Sequence, residues 1–200
     1  MLNKCSLEDK RIIIIGGVPG SGKTTVAKKL SEKLKAKYIN VSAYAIENNF
    51  LLEYDKKRET YVIDEERLVE NLISHICSLK SNYVILDTHY GEIFPKDIVS
   101  IYFILRINPK KLFVRLRNRG WSSEKIKENI AAEILGTITA NAINAFGREK
   151  ICEVNVTSRS LDEIVNEIFE IIIGKRKCEK EKLIDWTLTL DFSQLEPFLR

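Results

Sequence analysis

The sequence predicts an α/β fold in which a parallel β-sheet is flanked by helices. Short β-branched runs alternate with amphipathic segments of helical period, and this alternation requires crossover connections between parallel strands. The first run, 12–15, is apolar on both faces, as expected for a strand covered by helices on each side. A glycine-rich loop then joins it to the first helix. The predicted strands cover residues 12–15, 38–41, 83–87, 101–105 and 151–156.

Length and composition are those of one globular domain with a small appendage. Of the 200 residues, 44% are hydrophobic and 30% are charged, which excludes a disordered chain. No apolar run reaches the roughly 18 residues of a membrane span, and residues 1–11 lack the apolar core of a secretion signal. We therefore expect a cytoplasmic protein with no membrane partner. The cysteines are far apart in sequence, so we expect reduced thiols rather than disulfides or zinc ligands at Cys5, Cys77, Cys152 and Cys178.

Helix signals fill the gaps between the predicted strands. Helices are expected from about Lys23, after Asp64, after Asn108-Pro109, from about Ser122, and after the capping box that opens at Ser160. Gly120 and Gly174 end the third and the fifth of these. The fourth is a long helix with Ile126, Ile130, Ile134 and Ile138 on one side. Residues 175–200 break the alternation. We assign 1–174 to the main domain and 175–200 to a C-terminal extension that could hold one short strand.

The strongest motif is a phosphate-binding loop. Gly17–Thr24 reads GVPGSGKT, which fits GxxxxGK[ST] with a strand before it and a helix after it. In this motif, backbone N–H groups and the helix N-terminus hold phosphates, the lysine reaches the β- and γ-phosphates, and the hydroxyl of Thr24 would bind Mg²⁺. A plain glycine turn is the alternative, and the flanking elements argue against it.

Two candidate catalytic side chains follow the third predicted strand. Asp87 ends that strand, where an acidic residue commonly holds Mg²⁺ directly or through water, although a strand-end aspartate can also be a helix cap. His89 lies two residues further, where it could aim at an attacking water. A surface histidine is an equally good interpretation of His89. The other histidine, His75, lies inside a helix and is interpreted as structural.

Positive charge is concentrated in residues 106–128, which hold eight basic residues against two acidic ones in a chain of net charge +4. Such a segment favours an anionic ligand, and the alternative is a solvated helix face. Arg115 and Arg119 are four residues apart and lie next to Gly120, so a flap could carry them over a phosphoryl group. Arg117 points elsewhere on a helix and is expected to be solvated. Trp121 is expected to pack beneath the flap rather than against a base.

These landmarks resemble the adenylate kinase isoenzyme 6 family, small P-loop proteins with adenylate kinase and ATPase activity that are linked to maturation of the small ribosomal subunit. The resemblance covers about residues 10–174. It lies in GGVPGSGKTT (16–25), YINV (38–41), IDEERLVENL (63–72), LDTHYGEIFP (86–95), FILR (103–106), LFVRLRNRGW (112–121) and ENIAAEI (128–134).

The resemblance implies a fold and a set of roles. It implies a five-stranded sheet of order 2-3-1-4-5, an acceptor region near 40–63 that binds a nucleoside monophosphate, and a short lid near 118–128. By resemblance, ATP contacts fall on Gly20, Gly22, Lys23, Thr24, Thr25, Arg119 and Arg159, with Arg159 near the adenine, and Asp87 and His89 form the essential Asp-x-His pair. Mg²⁺ and ATP are the implied cofactor and substrate, and AMP or another monophosphate is the implied acceptor.

One position departs from the family pattern. Family members tend to have Asp-Leu-Ala-Arg after the second strand, whereas this chain has Ala-Tyr-Ala-Ile, so Ile46 replaces the arginine that would hold the acceptor phosphate. Arg58 or Arg67 could substitute for it. A missing bidentate clamp should weaken acceptor binding and positioning.

Two functional hypotheses follow. The first is an adenylate kinase that converts ATP and AMP to two ADP. The second is an ATP-gated assembly factor that mainly hydrolyses ATP and binds a basic small-subunit ribosomal protein or pre-rRNA. An acidic stretch, 47–70, could face such a partner or be a solvated surface. A small-molecule kinase of the shikimate or gluconate type fits the P-loop but not the pattern around Asp87 and Arg119.

Overall fold

The central feature is a five-stranded parallel sheet, seen in a computed structural model that describes residues 7–55, 60–179 and 182–191. Its order is β2-β5-β1-β6-β7, which confirms the expected 2-3-1-4-5 arrangement. A separate antiparallel hairpin pairs β3 with β4. The strands are β1 Arg11–Gly16, β2 Lys37–Asn40, β3 Leu51–Asp55, β4 Thr60–Ile63, β5 Tyr83–Asp87, β6 Val99–Arg106 and β7 Ile151–Asn155.

Helices cover both faces of the sheet, and two apolar clusters form the core. Alternate residues of β1 point to opposite faces, so Ile13 and Ile15 pack in one cluster and Ile12 and Ile14 in the other. No helix among the described residues is both long enough and apolar enough to cross a membrane. The helices are α1 Lys23–Leu34, α2 Val41–Glu47, α3 Glu65–Ser78, α4 Pro109–Arg117, α5 Ser123–Ile134, α6 Thr137–Phe146 and α7 Leu161–Ile172.

The predicted helix starts agree with the observed caps. The Asp64 carboxylate accepts a hydrogen bond from the N–H of Arg67, and Asn108 caps α4 with proline at its first position. Ser160 and Glu163 form the reciprocal capping box of α7. Each cap satisfies N–H groups that a helix start leaves without intrahelical partners, which is why these sequence signals locate helices well.

The prediction of a single long helix from about Ser122 that includes Ile138 was wrong. Gly136 adopts a left-handed conformation with φ of 63° and separates α5 from α6. A Cβ at this position would lie 3.5 Å from a guanidinium nitrogen of Arg106, so the break lies against a buried side chain. Similarly, the second strand ends at Asn40, and Val41 already begins α2.

The C-terminal segment packs on the sheet without forming a strand. Residues 182–191 run through turns, so the expected short strand is absent from the described part of the extension. Trp186 is only 5% exposed and donates its indole N–H to Glu133 of α5. The backbone N–H of Ile184 donates to Glu153 of β7 at 2.6 Å. These contacts fix the segment against the edge strand β7.

The prediction of reduced cysteines was wrong for Cys77, Cys152 and Cys178, which are all disulfide-bonded, and Cys5 lies outside the described residues. Cys152 on β7 and Cys178 after α7 form a disulfide, with Cα atoms 5.9 Å apart. The two residues are 26 positions apart in the sequence, but α7 runs back along the sheet and returns the chain to β7. Spacing in the sequence therefore concealed a proximity that the crossover connection creates.

We expect Cys178→Ser to lower the free energy of unfolding by about 3.5 kcal/mol, because the crosslink closes a loop of about 26 residues in the unfolded chain. Urea unfolding followed by circular dichroism measures this change. Lys177→Ser, at the exposed neighbouring position, is the matched control and should shift stability by less than about 0.5 kcal/mol. Equal stability of Cys178→Ser and the wild type would show that the crosslink does not contribute.

Candidate active site

The glycine-rich loop turns the chain sharply between β1 and α1. Gly20 has a φ of 90°, and a Cβ there would lie 2.9 Å from the Leu112 side chain and 3.0 Å from that of Leu116. Only glycine combines this left-handed backbone with so close an approach to α4. Gly22 caps α1, also in a left-handed conformation. The loop is therefore held between the sheet and α4, with the start of α1 at its mouth.

Lys23 is the first residue of α1, and its ammonium group bends back over the loop. Its Nζ donates to the carbonyl of Val18 at 3.2 Å. Burial lowers the pKa of Lys23 to about 8, with the positive charge of Arg119 acting in the same direction and Asp87 opposing both. Desolvation disfavours the charged form of Lys23, so an anion that enters the site would stabilise the ammonium.

Asp87 lies at the carboxyl end of β5 and accepts three side-chain hydrogen bonds on one oxygen. Thr24 Oγ1, Asn40 Nδ2 and Tyr38 OH donate to its Oδ2 at 2.7, 2.8 and 2.9 Å. The residue is 2% exposed. Burial and the neighbouring Asp87 raise the pKa of Tyr38 to about 12, so this phenol keeps its proton and acts as a donor.

His89 lies beyond the strand end, with its ring edge-on to that of Tyr90 at 4.5 Å between centroids. The side chain of His89 is exposed at the edge of the pocket, as the surface interpretation expected. Desolvation by the surrounding protein and the charge of Lys23 lower its pKa to about 4, against the opposing effect of Asp87. The imidazole is therefore neutral at physiological pH and retains a nitrogen lone pair that can accept a proton.

The side chains of Lys23, Asp87 and His89 line one pocket of about 350 Å³. The pocket brings together most of the residues that the sequence suggested, and it also includes Trp121, which packs against the core at the same time. Positive charge comes from Lys23 and Arg119, and the acidic group is Asp87. The predicted residues that line it are Gly20, Gly22, Lys23, Thr24, Thr25, Asp87, His89 and Arg119.

Two predicted arginines lie outside this pocket. The guanidinium of Arg115 donates to the carbonyl of Gly20 at 3.0 Å and so braces the loop from the side of α4. Arg159 pairs with Glu167 at 2.6 Å and lines a different pocket, under the C-terminal segment. Its role near the adenine stays a prediction.

The basic segment 106–128 therefore has mixed uses. Arg106 is buried and pairs with Glu133 and Glu153, which makes it a structural residue rather than a ligand for an anion. Arg117 is exposed, as its helix position predicted. Its guanidinium lies over the Phe113 ring, 5.6 Å from the centroid. Local charge counting could not separate these cases, because burial depends on the partners that the fold supplies.

A second pocket of about 500 Å³ adjoins the first, and Ser42 and His89 line both. Ile46 lies on its wall and is 53% exposed. The described residues around it include several carboxylates but no lysine or arginine. Its wall consists of Ser42, Ile46, Leu51, Asp55, Tyr61, Val62, Ile63, Glu65, His89, Tyr90 and Glu92.

Of the two suggested substitutes for the missing arginine, Arg67 does not line this wall. Arg67 on α3 lies over the Phe50 ring at 5.5 Å and 3.7 Å from the carboxylate of its capping residue, Asp64. Arg58 lies outside the described residues. Among the residues that the structure describes, none takes the place of the arginine that Ile46 replaces.

The comparison with known proteins agrees with this geometry. Residues 13–136 match the sequence family described as "AAA domain". A relative from Saccharolobus solfataricus named "Putative adenylate kinase" is 40% identical over 157 residues, covering 78% of this chain and 81% of its own length. One of the same name from Pyrococcus furiosus is 35% identical over 195 residues, covering 94% and 97%. The chain belongs to this adenylate kinase-like family of P-loop proteins.

Solved structures support the fold of the adenylate kinase-like chain. Shikimate kinase from Bacteroides thetaiotaomicron aligns with a TM-score of 0.55 at 18% identity, covering 82% of this chain and 98% of that one. Thymidylate kinase from Candida albicans aligns with a TM-score of 0.53 at 18% identity, covering 88% and 95%. At such low identity these similarities establish architecture alone. The P-loop NTPase fold, with a five-stranded parallel sheet flanked by helices as in these kinases, is thus confirmed.

The residues present suit Mg²⁺ bound together with a nucleotide. The hydroxyl of Thr24 and the carboxylate of Asp87 are hard oxygen donors in direct contact, which Mg²⁺ prefers. No group of three or more His, Cys, Asp or Glu side chains able to hold a metal occurs in the described part of the chain. A magnesium ion here would need phosphate oxygens and water to complete its shell, as Mg²⁺ usually does in kinases.

Sequence reasoning missed the side chains of β2 that reach this site. The stretch 38–41 was predicted as a strand and quoted for its resemblance, but no role was assigned to Tyr38 or Asn40, nor to Ser42 at the start of α2. A signal was available, because the expected sheet order places the end of β2 beside the end of the strand that carries Asp87. Polar residues at adjacent carboxyl ends of parallel strands are the usual ligands in such sheets.

Proposed function

We propose that the protein is an adenylate kinase-type phosphotransferase, which moves the γ-phosphoryl group of ATP to AMP, and that it also hydrolyses ATP. The observation that carries this proposal is the pair of adjoining pockets. One is built on the P-loop with Lys23 and Asp87, the other lies on α2 and the hairpin, and His89 borders both. A donor site next to an acceptor site is what direct phosphoryl transfer requires.

In the donor pocket, the N–H groups of the loop and the N-terminus of α1 would hold the β- and γ-phosphates. Lys23 neutralises charge on the transferred group, and Arg119, on the proposed lid 118–128, lines the same pocket and adds a second positive charge. Thr24 and Asp87 would hold Mg²⁺, which would neutralise part of the charge of the phosphates. Arg115 keeps the loop in shape through its bond to Gly20.

In the acceptor pocket, the proposed region 40–63 would hold the monophosphate. The phosphate of AMP is already an anionic nucleophile, so its attack needs placement and charge neutralisation rather than a general base. The apolar side chain of Ile46 and the negative carboxylates of the wall do not stabilise an anionic phosphate. We therefore expect kinase turnover limited by a high KM for AMP.

Ile46→Arg should lower the KM for AMP by roughly 10- to 100-fold, because a charge-assisted, bidentate contact to phosphate contributes about 1.5–3 kcal/mol. The side chain is 53% exposed, so the fold should tolerate the change. Steady-state kinetics over a range of AMP concentrations measures the effect, with Ile46→Gln as the uncharged control. An unchanged KM in the arginine variant would contradict the assignment of this pocket to AMP.

A second candidate function is an ATP-gated assembly factor of the small ribosomal subunit, whose main chemistry is hydrolysis. It is favoured by the lack of any described cation in the second pocket and by the neutral His89 between the two pockets, where it can orient a water. The resemblance suggests a basic small-subunit ribosomal protein and pre-rRNA as partners. The carboxylates Asp55, Glu65 and Glu92 suit a basic partner.

Chromatographic analysis of Mg-ATP reactions with and without AMP, CMP or UMP separates the two functions. ADP formed at twice the rate of AMP loss supports the kinase. A rate of phosphate release that does not change when AMP is added supports the hydrolytic switch. His89→Ala should abolish hydrolysis but spare transfer, and His75→Ala, the other histidine, is the control. Absence of any nucleotide turnover would overturn both functions.

A further inference from the structure

The hydrogen bonds on Asp87 go beyond what a metal-holding pair requires. The threonine of the loop can donate to the carboxylate and still offer its lone pairs to a cation. Tyr38 and Asn40, however, donate to the same Oδ2 from a different strand. Three donors on one oxygen occupy its acceptor capacity and restrict rotation of the carboxyl group, so the remaining oxygen, Oδ1, is held in one direction.

The sheet supplies this arrangement through strand register. β2 runs parallel to β5, with Tyr38 opposite Ile85 and Asn40 opposite Asp87. Residues 38 and 40 are two apart, so their side chains project from the same face of β2. The two donors are therefore fixed by backbone pairing and not by a loop, which makes them rigid supports.

Asn40 has a second contact that connects the two pockets. Its Oδ1 accepts from the backbone N–H of Ala43 at 2.8 Å and so caps α2, while its Nδ2 donates to Asp87. The helix it caps carries Ser42 and Ile46 on the wall of the second pocket. One amide group thus spans from the carboxylate of the first pocket to the helix that borders the second.

We propose that Tyr38 and Asn40 are positioning residues that aim Asp87 at Mg²⁺-bound nucleotide, and that Asn40 also sets the position of α2 at the acceptor pocket. The proposal rests on the proposed function, because it requires a nucleotide with its metal at the P-loop. Neither residue needs to touch the substrate. Each acts through groups that do.

The first test removes one donor at a time and measures nucleotide binding. Tyr38→Phe keeps the ring, which lies under the ammonium of Lys28, and removes only the hydroxyl. Asn40→Ser removes the amide donor but keeps an oxygen able to cap α2. By calorimetry, both variants should bind ATP roughly tenfold more weakly in excess Mg²⁺, and within twofold of wild type in EDTA. Tyr83→Phe, at the opposite end of β5, is the matched control.

The second test separates the two contacts of Asn40. Asn40→Ala removes both the donor and the cap, so relative to Asn40→Ser it should show an additional severalfold rise in the KM for AMP at similar affinity for Mg-ATP. Equal KM values for the two variants would overturn the link to α2. A merely structural role would instead weaken ATP binding equally in Mg²⁺ and in EDTA and lower the melting temperature of the nucleotide-free protein.

The outcomes distinguish this inference from the function on which it rests. Wild-type protein that binds Mg-ATP while Tyr38→Phe and Asn40→Ser bind it equally well would overturn the positioning role alone. Wild-type protein that binds no Mg-ATP would overturn the proposed function and this inference together. A tenfold loss confined to Mg²⁺ conditions supports both.

Discussion

Lys23→Ala should reduce kcat/KM for ATP by about 10²- to 10³-fold, whether the phosphoryl group goes to AMP or to water. The ammonium is held over the loop, and burial lowers its pKa to about 8, so an arriving phosphate gains a nearby, poorly solvated cation. Alanine removes that charge and leaves the backbone of the loop intact. Steady-state rates of ADP formation measure the loss.

Lys111→Ala is the matched control for this experiment. Lys111 lies on the exposed side of α4, so removing its charge should change kcat/KM by less than twofold. A Lys23→Ala enzyme that retains a third or more of wild-type activity would show that the chemistry takes place elsewhere in the molecule.

Arg106→Met should lower the free energy of unfolding by about 3–5 kcal/mol, because it leaves two buried carboxylates without their cation. Arg106 is 2% exposed, and its Nε donates to Glu133 Oε1 at 2.8 Å. A second guanidinium nitrogen pairs with Glu153 and also donates to the carbonyl of Ile184 at 3.1 Å. Losing the arginine therefore weakens the sheet edge and the docked C-terminal segment together.

Urea unfolding measures this effect, with Arg117→Met as the control at an exposed arginine, where a change below about 0.5 kcal/mol is expected. The double variant Arg106→Met with Glu133→Gln should recover part of the lost stability, since it removes one of the two buried carboxylates left without a cation. A destabilisation below about 1 kcal/mol for Arg106→Met would mean that the cluster is not a buried ionic network.

The sheet was predictable because its signals are local. Ile12–Ile15 form an apolar run, the following loop has a motif with strong steric requirements, and Asp64 and Ser160 are helix caps whose partners lie three residues away. The strand order came from the family resemblance. Features that depend only on neighbouring residues can be read from the chain before it folds.

Two of the errors have the opposite character. The Cys152–Cys178 disulfide and the burial of Arg106 each depend on a partner far away in the sequence. The break at Gly136 is local, but an isolated glycine inside a helical pattern does not by itself show that the helix ends there. The hairpin of β3 and β4 was also missed, since its strands contain charged residues and bury little apolar surface. Long-range partners decide the disulfide and the burial of Arg106, and a single sequence does not name them.

The candidate site was predicted in its P-loop half and missed in its β2 half. Lys23 and Thr24 belong to a motif with known spacing, and Asp87 ends a strand where such a residue is expected. The structure brings Thr24 and Asp87 into contact and places Lys23 in the same pocket. Tyr38 and Asn40 follow no motif of that kind, and only strand register places them at Asp87. Sequence patterns thus find residues of recognisable chemistry, whereas the residues that hold them in position emerge from the topology.

The most direct test of the central claim is a calorimetric comparison of ATP with adenosine in the presence of Mg²⁺. If the P-loop pocket binds the terminal phosphates, ATP should bind with a Kd between about 1 μM and 1 mM and at least ~100-fold more tightly than adenosine, which shares the base but has no phosphate. Equal affinities for the two, or no binding of ATP at all, would contradict the account.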